Sequence, residues 1–470
     1  MSLSLALGTS FNGLKANQLQ FALLSKNVEN AAVPHYVRKD AVLTTRVVAG
    51  ISLGLEVGIS RDVDERLVRD VRLQTASNSS LATKAEYLKM WAAKVGQPQD
   101  EYSVSTVLNE FKIALQTLEG NSGSQVDQLN AVRAAESLAS KLNGLHREAN
   151  ALRADADAQI RQKVEVVNKN LDQIAKLNKS IAGGSVSDLG DLLDERDRLV
   201  DEISQELGVT TYLRENGEMV ILAKGGASLL DSSVNHLEFS PFGDLRTADG
   251  TVLTPAPGNA SAVRGGAIAG LFDIRDNVMP EFMSQLDGMA AGIITMFEGA
   301  DASLAPGQAG LFTDGGAAYD PANVVGLAER IRVNDSVRPS AGGDLWKISS
   351  GLGAAAPAPG ADSTQVTAFL DAFASDLAFG SSGSLPGSAT IEEFAVAMVS
   401  SQQTARVTAE SELRVSDITL STLRESRMNR DGVNVDDELM KIALVEHSYQ
   451  ASTAVITSIQ EMLDTLLAAT

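Results

Sequence analysis

The sequence predicts a mainly α protein with a small inserted β domain, in which the terminal helices pair as a coiled coil and a long helical bundle follows. Three observations predict it. Counting in sevens from Val435 gives Val435, Ile442, Tyr449, Ile456 and Leu463, with Glu438, Val445, Ser452, Ile459 and Leu466 three residues after each, which is a coiled-coil seam. At the other end Leu7, Leu14, Phe21 and Val28 recur at the same interval, supported by Phe11. Between them, the helical period of 104–207 gives way to a period of two over 208–262 before helix returns.

A chain of 470 residues is long enough for two to four domains with real cores. Its hydrophobic fraction of 44% comes with a mean hydropathy near zero, and the longest apolar run, Gly288 to Phe297, is far short of a bilayer span. No membrane partner is expected. A formal net charge of −21 would repel nucleic-acid phosphates, and no basic patch is segregated along the chain, so no nucleic-acid partner is expected either. The absence of cysteine excludes disulfides and thiolate metal sites, and the four histidines, at 35, 146, 236 and 447, stand in unrelated contexts. Neither cofactor nor metal is expected. The first basic residue, Lys15, comes after the short apolar stretch Leu3 to Leu7, the wrong order for a cleaved secretory signal.

The first segment, 1–36, reads as a helix that pairs with 430–470 and ends before Pro34, which removes a donor and disfavours helix at the residue before it. Around that end stand Asn27, Asn30, Tyr36 and Arg38 in the text SKNVENAAVPHYVRKD. This arrangement resembles the N-terminal signature of the bacterial flagellar axial proteins, the rod, hook and hook-associated proteins, with His35 where that family usually has glycine.

Residues 37–207 read as the first part of the bundle, opened by a hairpin near 41–60 whose residues alternate in polarity. Within it, Gly50-Ile51-Ser52-Leu53-Gly54 has the spacing of a nucleophile elbow, which in a hydrolase would make Ser52 the nucleophile. The alternation continues through Leu55, Val57 and Ile59, so a turn between strands is the better reading. Leu138, Leu145 and Leu152, then Ile160, Val167, Ile174 and Ile181, give long bundle helices. After Gly183-Gly184 comes DLGDLLDERDRLVDEISQEL, with Leu192, Leu193, Leu199, Val200, Ile203 and Leu207 as the buried side. Its charges, among them Asp194 with Arg198 and Asp197 with Asp201 at spacings of four, read as a solvated face. The string LLDERDRLVDEIS resembles the hook-associated branch of the axial family.

The inserted β domain, 208–262, has a hairpin turn at Asn216-Gly217 and further turns at 242–244 and 249–250. Its removal between 210 and 260 is expected to leave the rest largely intact. Residues 263–300 return to the bundle as a helix kinked by Pro280. Residues 301–385 are irregular and rich in Gly and Ala, with strand-like pieces RIRVND and DLWKISSG, and 386–429 is another bundle helix.

The closing segment, 430–470, begins at a glycine break. Placing Gly432 sixth in a calcium loop would make Arg427 the first ligand, which excludes that reading. Asn434 instead caps a helix of about 50 Å, with Asp436, Asp437 and Glu438 at its positive end. Gly432, Val433, Asn434, Tyr449, Gln450, Ala451 and Leu463 resemble the C-terminal signature of the hook-associated branch. The resemblance implies a structural, non-catalytic component of the flagellum, an adaptor ring joining hook to filament and required for assembly. It implies as partners further copies of the chain, the hook protein, a second junction protein of the hook-associated protein 3 type and a cytosolic export chaperone. It also implies secretion by type III export to the extracellular hook-filament junction. A rod or hook component is the alternative within the family, and a hydrolase using Ser52 the alternative outside it.

Overall fold

In a computed structural model of the chain, residues 3–33, 36–48, 51–183, 189–360, 362–380 and 385–468 are described. Helix α1 (Leu3–Glu29) leads into an antiparallel hairpin of β1 (Lys39–Val48) and β2 (Ile51–Arg61). Its register pairs Lys39 with Arg61 at the base, and Val47 with Ser52 beyond a bulge at Arg46/Val47. A nucleophile elbow needs a helix directly after its serine, whereas β2 runs on as strand from Ser52 to Arg61. The elbow reading fails on that geometry; Gly50 itself lies outside the described residues.

Three helices follow: α2 (Glu65–Val95), α3 (Val104–Gly120) and α4 (Gln125–Ala182). Ser103 caps α3 by accepting from the Thr106 amide at 3.2 Å, and α4, 58 residues without proline, is roughly 87 Å long at 1.5 Å per residue. The apolar row of α4, Leu138, Leu145, Ile160, Val167, Leu171 and Ile174, is buried throughout. Helix α5 (Leu189–Glu206) precedes the β insert: β3 (Val209–Leu213), β4 (Met219–Ala223) and β5 (Ser228–Leu230) form one sheet, β6 (Leu237–Phe239) and β7 (Leu245–Thr247) another.

The insert is tied into its surroundings. Asn178 of α4, 4% exposed, meets the backbone of β4 as a strand would, donating to Met219 O at 2.8 Å and accepting from Met219 N at 3.1 Å. Asn168 does the same for Leu237, and Arg196 of α5 donates to Gly217 O at 2.7 Å. Deleting 210–260 would strip Asn168, Asn178 and Arg196 of these partners, so removing the insert is expected to cost stability in what remains.

Helix α6 (Ala267–Asp273) passes through a π-helical turn, Ile274–Val278, into α7 (Met279–Ala300). Pro280 sits at the first turn of α7, where its missing donor matters least, and the widened turn before it takes up the mismatch. The irregular part holds β8 (Phe312–Asp314) paired with β9 (Ile331–Val333), the single-turn helices α8 (Leu327–Arg330) and α9 (Lys347–Ser350), α10 (Thr364–Phe373), and the short pair β10 (Leu377–Ala378) and β11 (Ser388–Ala389). DLWKISSG is therefore a helical turn and not a strand: it ends at Gly351, whose φ of 98° stops it, and is too short for periodicity to decide. Two long helices close the chain, α11 (Ile391–Asp431) and α12 (Val435–Ala468).

The chain forms two compact units, one of Met1–Ser79, Lys163–Gly266 and Val415–Thr470, the other of Ser80–Gln162 and Ala267–Arg414. This differs from the segmentation read along the sequence, which kept 37–207 together, because α4 is long enough to serve both. The second unit is centred on phenylalanines. Phe297 stands 5.5 Å from Phe111, 5.3 Å from Phe312 and 5.0 Å from Phe369, all fully buried. A buried relay, from Trp91 Nε1 to Gln402 Oε1 at 3.0 Å and from Gln402 Nε2 to Gln285 Oε1 at 2.8 Å, joins α2, α11 and α7 there.

Candidate assembly site where the chain ends meet

In the first unit α1 and α12 lie against each other. Asn27 bonds Glu438 and Asn17 bonds Ser448, so the pairing is antiparallel. On α12 the inner row is Glu438, Val445 and Ile459, at 0%, 6% and 4% exposure, while Val435 and Tyr449 stay exposed and Ile442, Ile456 and Leu463 lie half-buried at its edge. The side chain of Leu466 lies outside the described set. On α1 the buried residues are Ala16, Leu23, Leu24 and Asn27. The row Leu7, Leu14, Phe21 and Val28 is turned to the flank, with Phe21 46% exposed. That corrects the α1 seam: the buried residues are neighbours of the predicted row, Ala16 and Leu23 two positions after it, Leu24 three after it and Asn27 one before it. Helix α1 carries two apolar rows, one partner helix covers only one, and the polar contacts of Asn27 fix which.

Asn27 is fully buried and uses its whole amide. Its Nδ2 donates to Lys39 O and Glu438 Oε2, both at 2.8 Å; its Oδ1 accepts from Lys39 N at 3.1 Å and the Tyr36 hydroxyl at 2.9 Å. One side chain thus holds α1, the start of β1 and the first turn of α12. Burial first, then the charges of Asp194 and Asp191, push the Tyr36 phenol far above its ordinary value, so it remains a donor. Around this centre Asn30 caps its own helix on Lys26 O at 2.8 Å, and the Arg38 amide donates to Asp431 O at 3.0 Å. Gly432 follows α11 where an added Cβ would stand 2.3 Å from Met428 O, and Asn434 caps α12 by accepting from the Asp436 amide at 3.1 Å. Gln450 is exposed on α12 and donates to Glu446 at 3.4 Å.

The acidic helix α5 is the other half of the site. The row Asp191, Asp194, Asp197 and Asp201 faces cations from α1, β1, β2, α2 and α11, which corrects its reading as a solvated face. Lys39 Nζ, on a side chain 2% exposed, stands 2.6 Å from Asp191 and 2.7 Å from Asp194. Its cross-strand partner Arg61 is 2.8 Å from both Asp194 and Asp197. Arg72 of α2 reaches Asp197 at 3.2 Å and Asp201 at 2.6 Å, and Arg427 of α11 takes the other Asp201 oxygen at 3.1 Å. Lys39 crosses the start of α5 over Gly190, where a Cβ would lie 2.8 Å from Lys39 Cε. Only the outer charges, Glu195, Arg198 and Glu202, pair among themselves at the surface.

Sequence reasoning had the site's asparagines and Tyr36 but missed Lys39, Arg72, the ion pairs of Arg61 and the inward turn of the aspartates. The spacing of three, three and four from Asp191 to Asp201 was the available signal, together with isolated cations at the two ends of one hairpin.

Acid should act on this row in a definite order. Burial pushes Asp194 above the ordinary carboxylate value despite Arg61 and Lys39; burial also works against Asp191, but hydrogen bonds from Lys26 and Lys39 hold it below that value. Asp191 therefore contributes stability that is present above its unfolded pKa and is lost as pH falls through its depressed one, whereas protonating Asp194 relieves a cost. Carboxylate resonances followed by NMR should show Asp194 titrating first on acidification; the reverse order would contradict the burial assigned to the row.

Among the described residues no three His, Asp or Glu side chains are grouped to hold a metal ion, and no helix is long and apolar enough to cross a membrane. Residues 95–303 match the family model described as the flagellar hook-associated protein FlgK helical domain, and 425–469 the model of the flagellar basal body rod FlgEFG protein C-terminal region. The chain is similar to flagellar hook-associated protein 1 of Bacillus subtilis, 24% identical over 98% of this chain and 97% of that one. It is similar to the protein of the same name from Salmonella typhimurium, 25% identical over 61% of this chain and about half, 55%, of the relative. A solved structure of the flagellar hook junction protein FlgK from Burkholderia pseudomallei matches 52% of this chain and 46% of its own at 26% identity, with a TM-score of 0.44.

Proposed function

Since the chain belongs to the flagellar hook-associated protein 1 family, whose members are structural parts of the flagellum, we propose that it forms the adaptor ring joining hook to filament. Its partners on this reading are further copies of itself, the hook protein, a second junction protein of the hook-associated protein 3 type and a cytosolic export chaperone. It reaches the extracellular flagellum by type III export.

One observation carries the reading. The chain ends are locked together at Asn27, yet α12 keeps a second apolar row in solvent: Met440 at 62%, Leu444 at 69%, Val455 at 49% and Met462 at 51% exposure. On α1 Phe11 is 62% exposed. Helices with apolar residues on two sides suit a position among neighbouring helices, which is what a ring supplies.

A deletion strain should build hooks but release filament subunits into the medium, and the full chain supplied in trans should restore motility. Loss of the hooks as well would place the chain among rod or hook components, the second reading, which the match of 425–469 to a rod-protein C-terminal model favours. A Ser52→Ala chain should complement as well as wild type.

A further inference from the structure

Beside the segment joining α1 to β1 lies a cleft of about 590 Å³, in the same unit as the chain-end lock. Val33 and Met428, 50% and 68% exposed, stand at its rim. Arg424, Arg427 and Asp431 line it from α11, at spacings of three and four that set them on one face. Asp431 is 3% exposed; its Oδ1 accepts the Asp64 amide at 3.2 Å and its Oδ2 has no hydrogen-bond partner. A buried carboxylate oxygen without a protein partner at the wall of a cleft can accept from a donor or share a proton.

The charge of the lining selects the occupant. Three arginines, 72, 424 and 427, stand against two aspartates, 201 and 431, so the cleft is positive by one on a chain of net charge −21. Resting on the ring reading above, we propose that this cleft receives an Asp or Glu side chain from a second copy of the chain, which pairs with Arg424 and Arg427 and hydrogen-bonds Asp431. Copies carry 60 acidic residues against 39 basic ones, and a basic side chain would meet the two arginines first. Burial raises the Asp431 carboxyl above its ordinary value, against the Asp64 amide, Arg427 and Arg430, and so favours the proton that an arriving carboxylate oxygen would share.

The test places a photo-crosslinking phenylalanine analogue at Met428 of the full chain in flagellated cells and identifies adducts by mass spectrometry. The expected adduct is a second copy, joined at a segment containing Asp or Glu. Arg424→Gln should lower its yield on the order of tenfold. Asp431→Asn keeps an acceptor for the Asp64 amide, supplies a donor, and should leave the yield unchanged or raise it. Loss with Asp431→Asn but not with Arg424→Gln would mean a cationic occupant and overturn the proposal. An adduct to a different protein, or none in motile cells, overturns it while leaving the ring reading standing. A chain that never enters the flagellum overturns both. Unchanged thermal melts of the purified variants confirm that the fold is not what was lost.

Discussion

Asn27→Leu should lower the stability of the chain by about 3 to 5 kcal/mol and free both terminal helices for proteolysis. Leucine shares the branching of asparagine and is larger, so the loss comes from four hydrogen bonds and some crowding and not from a cavity. Glu438, with no exposure at all, would keep only Lys441 at 2.8 Å, and the Lys39 amide and carbonyl would be buried without partners. Urea unfolding monitored by circular dichroism reads the stability, and limited trypsin digestion reads the release of α1 and α12. The double variant Asn27→Leu with Glu438→Leu should recover part of the loss, because it removes the orphaned charge. A midpoint unchanged in Asn27→Leu would mean that the chain ends are held by the apolar row alone.

The second large effect is expected at Asp201. Its two oxygens separate the guanidinium groups of Arg72 and Arg427, on side chains 6% and 10% exposed, and so join α2, α5 and α11. Asp201→Ala leaves two cations facing each other with little water, at a cost of about 3 to 5 kcal/mol. Arg72 retains Asp197 at 3.2 Å, so Arg427 is the side chain that loses its charge partner. Hydrogen exchange should therefore quicken most at the C-terminal turns of α11, where Arg427 lies, more than in α2. Asp201→Asn, which keeps the shape without the charge, should fall between. Equal protection in all three chains would show that the apolar packing of Leu199, Val200 and Ile203 holds α5 without this ion pair.

The difference between these two sites is instructive. Asn27 was singled out from the sequence because Asn27, Asn30, Tyr36 and Arg38 together resemble a family signature confined to about a dozen residues. Asp201 was read as surface because its partners come from positions 72 and 427, and nothing local marks an aspartate that will be buried against them. The same holds for Lys39, a lysine at a strand start that becomes 2% exposed only because Gly190, 151 positions away, leaves room for it.

By itself the sequence determined the elements: long helices where the apolar period is near 3.5 residues, strands where it is two, breaks at Gly183, Gly208 and Gly432, and a cap at Asn434. Those depend on neighbours along the chain, so they are legible along the chain. Only the tertiary structure decided which apolar row of α1 turns inward, that the acidic row of α5 meets Lys39, Arg61, Arg72 and Arg427, and that the β insert is bound through Asn168 and Asn178. In each case a helix offers more than one workable face, and the choice falls to the arrangement that leaves the fewest buried polar groups without partners.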